Sequence, residues 1–535
     1  MSLGIDTTAI YSDEGALQQA STSETAARNI AQDLHRRTDI LPIDAAPGLF
    51  NGIGRTWELL AASFDPSEQA DKSSFASEDS RLELALALAK LERNLVAGLL
   101  EFQREALKHE AAIRRFIFNI TTFVRIEDPK FFTIQSISAQ LLSNLVSPSD
   151  DSAEAAETAD RILRLYTSGG REEDVVVRLL DSKEQKTNHA TLHMLNNLTR
   201  NSSSRLTLLL STSGTRWLAK ILGRMDDWLD NEDPCFELSA SIFNSFISHC
   251  LHPKLFDLLS EPPEPITPSQ TTLLKLLDSS LALPPSDHPT PPTSGDYPNT
   301  FLVPLFISLS SASLPSITSR ADDPRLPKQL AALMLVTESL SSIGLRVQER
   351  IDDAAALGSE DADGEGSNWE AAGEKSLVQS LKDKEQGVVK SLVDLLRALN
   401  DFFPKTNPRT TSSDPLPPPL PLNPELKPFS KVKRDLVRLL SILSFDDTFV
   451  GDQVREWSGV ELVLGMTEID EGNPYLREHA LFCIRNLMRN NPANQDVIKQ
   501  MNPVGVLSDT GELLPLPEKM KKKAKVVTIE DEGEA

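Results

Sequence analysis

Five short segments of this chain end apolar, helix-patterned runs on nearly the same signature at nearly constant spacing. They read ERNLVAG at 92–98, LLSNLV at 141–146, LNNLTR at 195–200, IFNSFI at 242–247 and IRNLMR at 484–489. Their asparagines are Asn94, Asn144, Asn197, Asn244 and Asn486, the first four 50, 53 and 47 residues apart. A sixth copy, LLSILS at 439–444, keeps the apolar frame with Ile442 in the asparagine position. Shifted by 44 residues it overlays the last copy, Leu443 on Leu487 and Val454 on Ile498. A period of roughly 40–50 residues belongs to helical repeats, whose units cannot bury their apolar faces alone and stack into a solenoid. The predicted fold is an all-α helical repeat solenoid, which presents long surfaces rather than one catalytic pocket.

Composition divides the chain. Residues 80–120 contain no proline and one glycine and are rich in Leu, Ala, Glu, Lys and Arg, strong helix formers. Helical patterning of this kind predicts N-terminal repeats over 1–260, and strand-like alternation bounded by turn signals is hard to find anywhere. A Pro/Ser/Thr-rich insertion follows at 261–300, around the helix-like TTLLKLLDSSLAL. A middle helical block at 301–403 carries an acidic, glycine-containing stretch at 352–375, a poor core former expected to be a loop. Residues 404–430, with PLPPPLP, read as an extended linker, or as a ligand for an aromatic-lined groove. A C-terminal repeat block at 431–505 and a disordered tail at 506–535 complete the reading.

The formal net charge is −24 over 535 residues, which opposes non-specific binding to nucleic acid or an anionic membrane. Three dispersed cysteines, Cys235, Cys250 and Cys483, suit a reducing compartment rather than a disulfide framework. No secretory signal opens the sequence and no run of about 18 uninterrupted apolar residues occurs, so a cytoplasmic protein without membrane insertion is expected. The lysine run Lys519–Lys525 reads either as a nuclear-import signal or as a solubilising tail balanced by TIEDEGEA.

At 100° per residue, LREHALFCIRNLMR at 476–489 places Leu476, Ala480, Leu481, Ile484, Leu487 and Met488 in one apolar stripe. His479, Phe482, Asn486 and Arg489 fall on the other side and are the candidate protein-binding residues. Asn473-Pro474 suits the start of this helix, Pro492 its end, and Asn494 the cap of the next one.

The segment 452–501 resembles the C-terminal domain of the ataxin-10 family. The matching positions are Gln453, Val454, Glu456, Gly459, Asp470, Asn473, Pro474, Glu478, Ile484, Arg485, Asn486, Leu487, Asn491, Asn494, Gln495 and Ile498. The resemblance implies an armadillo-like solenoid that acts in cytokinesis and cell division as a scaffold for protein partners, without catalysis. The family usually carries Trp where His479 stands. Four residues before the repeat asparagines lie Lys90, Gln140, His193, Ala240 and Phe482, so the tryptophan ladder of importin-type peptide binding is missing.

No Walker-type, GxGxxG or GxSxG signature occurs, and neither a cofactor nor a catalytic residue is expected. His189 and His193, one helical turn apart, lack the further ligands that zinc needs, and Cys250 beside His249 and His252 reads as a packed thiol, so no metal is expected. The alternatives to the scaffold are a nuclear transport adaptor, suggested by repeats and lysines, and an unrecognised enzyme in the middle block. Self-association is a further partner reading.

Overall fold

The structure, a computed structural model, describes residues 46–65, 77–146, 153–169, 174–200, 202–283, 296–357, 369–405, 424–501, 505–507 and 513–515. Most of the proline-rich 404–430 stretch, the centre of the acidic 352–375 stretch and Lys519–Lys525 lie outside them. Two compact units appear, one of residues 1–261 with 267–280, the other of 262–266 with 281–535.

The first unit is helical throughout its described residues. Its helices are α1 (Ala46–Ser63), α2 (Glu78–Leu95), α3 (Leu100–Ala106), α4 (Glu110–Ile120), α5 (Pro129–Val146), α6 (Ala153–Ser168) and α7 (Val175–Asp181). They continue with α8 (Gln185–Thr199), α9 (Ser203–Leu208), α10 (Thr212–Asp230), α11 (Cys235–Ser248), α12 (His252–Leu258) and α13 (Pro268–Leu281). Helices α2, α5, α8 and α11 each end in one of the asparagine segments, and each packs against the next. Caps fix where the helices start. Ser77 accepts from the Ser80 amide to open α2, and Asp174 accepts from the Val177 amide to open α7. Asp174 also receives the Trp217 indole N–H at 2.8 Å and pairs with Arg216, tying α10 to that cap. Glu92, fully buried, is matched by the Trp57 indole and by His109 Nε2 at 2.6 Å, as a carboxylate out of water must be.

The second unit holds α14 (Leu302–Ser319), α15 (Leu326–Leu357), α16 (Trp369–Lys382), α17 (Val388–Phe402) and α18 (Val432–Leu443). It ends with α19 (Thr448–Glu456), α20 (Gly459–Gly465), α21 (Leu476–Met488) and α22 (Pro492–Gln500). Helices α15, α18 and α21 pack side by side in that order. In α17 the buried Val388, Leu392, Leu395, Leu396, Leu399 and Phe402 follow the i, i+3, i+4, i+7 rule of an amphipathic helix. Each fully buried Leu of such a stripe contributes about 1.5–3 kcal/mol. Helices α14 and α15 reach the length and mean hydropathy of membrane spans, 1.5 and 1.4, through apolar windows interrupted by Ser and Thr. Their Leu302, Phe306, Leu309, Leu333 and Leu340 are buried, and α14 and α15 pack on each other and on α17 and α18.

Four expectations are corrected. The acidic 352–375 stretch is helical at both ends, since α15 runs to Leu357 and α16 begins at Trp369. Strands do occur: Gly505–Leu507 pairs antiparallel with Leu513–Pro515, Val506 opposite Leu514, at the start of the stretch read as a tail. Asn473 does not cap α21. Its amide donates to Ser430 O at 2.9 Å, and the helix begins at Leu476. Asn491, not Asn494, caps α22, with Pro492 at the first helical position, where a missing N–H costs nothing.

Candidate functional site

Helix α21 presents the C-terminal candidates. Leu476, Ala480, Cys483 and Leu487 are its buried residues. The stripe read from the sequence is rotated relative to this arc: Leu481 is 50% exposed, and Ile484 and Met488 are half-buried. Helices α18 and α20 pack on the arc centred at Cys483, where a small thiol fits and burial pushes its pKa up to about 12.

The four candidates divide. Phe482 stands 59% exposed. Arg489 is exposed, paired through Nε with Asp446 at 2.9 Å and set 5.6 Å from the Phe445 ring centroid. His479 is half-buried, and burial, with the cations Arg438 and Arg434, holds its imidazole below its ordinary pKa. Asn486 turns inward and donates to Ser441 O at 2.9 Å and Ser441 Oγ at 3.2 Å. Helical spacing puts Phe482, Asn486 and Arg489 on one face, but only Phe482 and Arg489 offer themselves to solvent.

The Asn486 bond has a counterpart in the first unit. Asn144 on α5 donates to Arg93 O on α2 at 3.0 Å. In each case the acceptor directly precedes the asparagine-equivalent position, Asn94 or Ile442, of the preceding copy. At these two copies the asparagine is thus a cross-link between neighbouring helices. Ile442 explains itself by the same contact. A Cβ on Gly344 of α15 would lie 2.8 Å from Ile442 Cγ2, so here apolar packing against a glycine takes the place of the amide. Asn94 accepts from Arg93, Asn197 lines an open groove and Asn244 is exposed.

That groove, in the first unit, has a volume of about 590 Å³ and crosses the C-terminal halves of α2 and α5 and the face of α8. Arg93, Gln140, Asn144, Lys186, His189 and His193 are among its eleven lining residues, none of which is Asp or Glu. Gln140 Oε1 accepts from Arg93 Nη1 at 2.7 Å, and Asn94 Oδ1 accepts from Arg93 Nε and Nη2 at 3.0 and 2.8 Å. The rings of His189 and His193 meet edge to face at 4.7 Å. Partial desolvation, then the neighbouring His189, hold His193 below its ordinary pKa. No local motif marks this site, because its residues come from helices some fifty positions apart. No group of three or more His, Cys, Asp or Glu placed to hold a metal occurs among the described residues.

A model of the spinocerebellar ataxia type 10 protein domain matches residues 432–527, beginning at the first residue of α18. An ataxin-10 homolog of Kluyveromyces lactis is 44% identical over 73 residues, 14% of this chain and 14% of the relative. Residues 432–527 form a domain of the ataxin-10 family. Ataxin-10 of Homo sapiens is 32% identical over 97 residues, 18% of this chain and 20% of that protein. The ataxin-10 homolog of Schizosaccharomyces pombe is 34% identical over 97 residues, 18% of this chain and 22% of the relative. The matched stretch therefore spans about a fifth or less of these relatives' lengths. A solved structure from work on a phosphorylation switch between cadherin and beta-catenin covers 90% of this chain at 13% identity, with a TM-score of 0.22, too low to bear on the fold.

The positions that carry the ataxin-10 resemblance are largely architectural. Asn494 is fully buried; its amide donates to Gly451 O and Leu487 O, and its Oδ1 accepts from Arg455 at 2.8 Å. Asn491 and Asn494 stand 3.1 and 3.2 Å from where a Gly451 Cβ would sit, so that glycine lets α19 approach them. Gln453 donates to Lys382 O at 2.7 Å, and buried Asp470 lies 3.6 Å from the Lys433 ammonium. These residues lock the helices of this stretch together.

Proposed function

We propose that the chain is a non-enzymatic, armadillo-like repeat scaffold that acts in the cytoplasm during cytokinesis and cell division by binding other proteins. The observation that carries this reading is the paired asparagine cross-link. The same donor reaches the same register of the preceding copy in both units, as one repeating element would. Stacked repeats leave a continuous ridge of helix faces free for partners. On the last copy that ridge carries an exposed aromatic and an arginine, Phe482 and Arg489, the residue types enriched in binding hot spots. The ataxin-10 resemblance supplies the cell-division setting.

The test is affinity capture of the tagged full chain from dividing and from arrested cells. Partners recovered from dividing cells and lost with Phe482→Ala/Arg489→Ala support the proposal. Identical recovery from both cell states, or a set of partners indifferent to the double substitution, contradicts it.

A further inference from the structure

We infer that the groove across α2, α5 and α8 binds an extended acidic peptide segment of a partner protein. The inference goes beyond the scaffold reading, since it names a second surface in the other unit and the chemistry of its ligand.

Charge makes the first argument. The chain carries 78 Asp and Glu against 54 Lys and Arg, and about half of the described Lys and Arg are ion-paired, as Lys220 is with Asp181 and Lys275 with Asp226. The groove's cations belong to the other half, and no Asp or Glu lines the groove beside them. Among the described residues Arg93 is held by neutral amide oxygens, those of Gln140 and Asn94, and Lys186 makes no ion pair. A guanidinium fixed by amides keeps its charge uncompensated while losing little freedom when a carboxylate arrives. The two imidazoles and the amides of Asn144 and Asn197 add hydrogen-bonding groups along the floor.

Geometry makes the second. Neighbouring packed helices lie about 8–10 Å apart, so Arg93 on α2 and Lys186 on α8 are two such intervals apart sideways, roughly 16–20 Å. Arg93 lies in the last turn of its helix and Lys186 in the first turn of its own, which adds roughly 15 Å along the axes and makes the separation about 22–25 Å. An extended chain rises about 3.3 Å per residue and spans that interval in about seven residues. The fitting ligand therefore carries carboxylates about seven residues apart and crosses the groove obliquely past Asn144. A nucleic acid strand is the weaker candidate, because its dense phosphates must approach a chain of net charge −24, whereas a short acidic segment is locally neutralised.

The experiment uses the full chain and a fluorescein-labelled Gly/Ser peptide bearing two Glu-Glu pairs about seven residues apart, read by fluorescence polarisation at about 0.1 M salt. Binding should weaken at least tenfold when the glutamates become glutamine, and at least tenfold in Arg93→Gln/Lys186→Gln. Lys186→Gln alone, which breaks no hydrogen bond or ion pair among the described residues, should weaken it at least threefold with unchanged thermal unfolding, so a folding defect at Arg93 cannot obscure the result. Lys275→Gln, on a paired lysine outside the groove, and Phe482→Ala/Arg489→Ala should bind like wild type. The last variant separates failure of this inference from failure of the scaffold reading. The inference is overturned by any one of three results: no binding; binding indifferent to the groove substitutions; or tighter binding of a single-stranded oligonucleotide of equal length.

Discussion

At Asn144 and Asn486 a side-chain amide reaches the backbone carbonyl of the neighbouring helix, and the next residue of each segment, Leu145 or Leu487, is buried. The two neighbours should therefore respond differently to truncation. Leu487→Ala removes a fully packed side chain and should cost about 2–5 kcal/mol. Asn486→Ala loses hydrogen bonds of a half-buried group and should cost about 0.5–1.5 kcal/mol. Denaturant titration of both variants checks the order, and equal costs would contradict the assigned register. Protonation acts at the same scale. His479 and His193 both have folded-state pKa values below the ordinary imidazole value of about 6.5. Each contributes stability that is fully present above about pH 6.5 and is lost as pH falls toward the folded value. Thermal unfolding should accordingly move to lower temperature between about pH 7 and pH 5, and less so in His479→Gln. An equal shift in that variant would contradict the role given to His479.

Helices α19, α21 and α22 are joined by Asn494, which serves two carbonyls and one guanidinium from a fully buried position. Asn494→Ala leaves those groups without their partner and should cost about 2–4 kcal/mol, more than Asn486→Ala, by the same titration. The correspondence between α5 and α21 was legible in the sequence because an asparagine and its apolar frame recur at one register. The rotation of α21 was not. Leu481 and Cys483 are ranked by hydropathy in the wrong order, because the space beside α18 selects a small thiol and leaves Leu481 half exposed. The caps failed for a long-range reason: Asn473 spends its amide on Ser430 O, 43 residues away, and local cap rules cannot see that partner. The groove was illegible for the same reason, since Arg93 and Lys186 share no local pattern.

For the whole molecule, the two faces proposed for partners, one in each unit, differ in chemistry. The ridge of α21 shows an exposed ring beside a tethered guanidinium, while the groove of the first unit shows cations held by amides. Sequence reasoning named the first, although of its four candidates Asn486 bonds to α18 and His479 is half-buried. The exposure of Phe482 sharpens the test of a binding role, because its loss opens no cavity and should leave the fold intact. The most direct measurement is titration calorimetry of the main captured partner, purified, against the wild-type chain and against Phe482→Ala/Arg489→Ala, with helicity and thermal unfolding compared in parallel. The account predicts Kd at least about tenfold weaker in the double variant, ~1.4 kcal/mol, with unchanged helicity and a small loss of stability. An unchanged Kd in the folded double variant would contradict it.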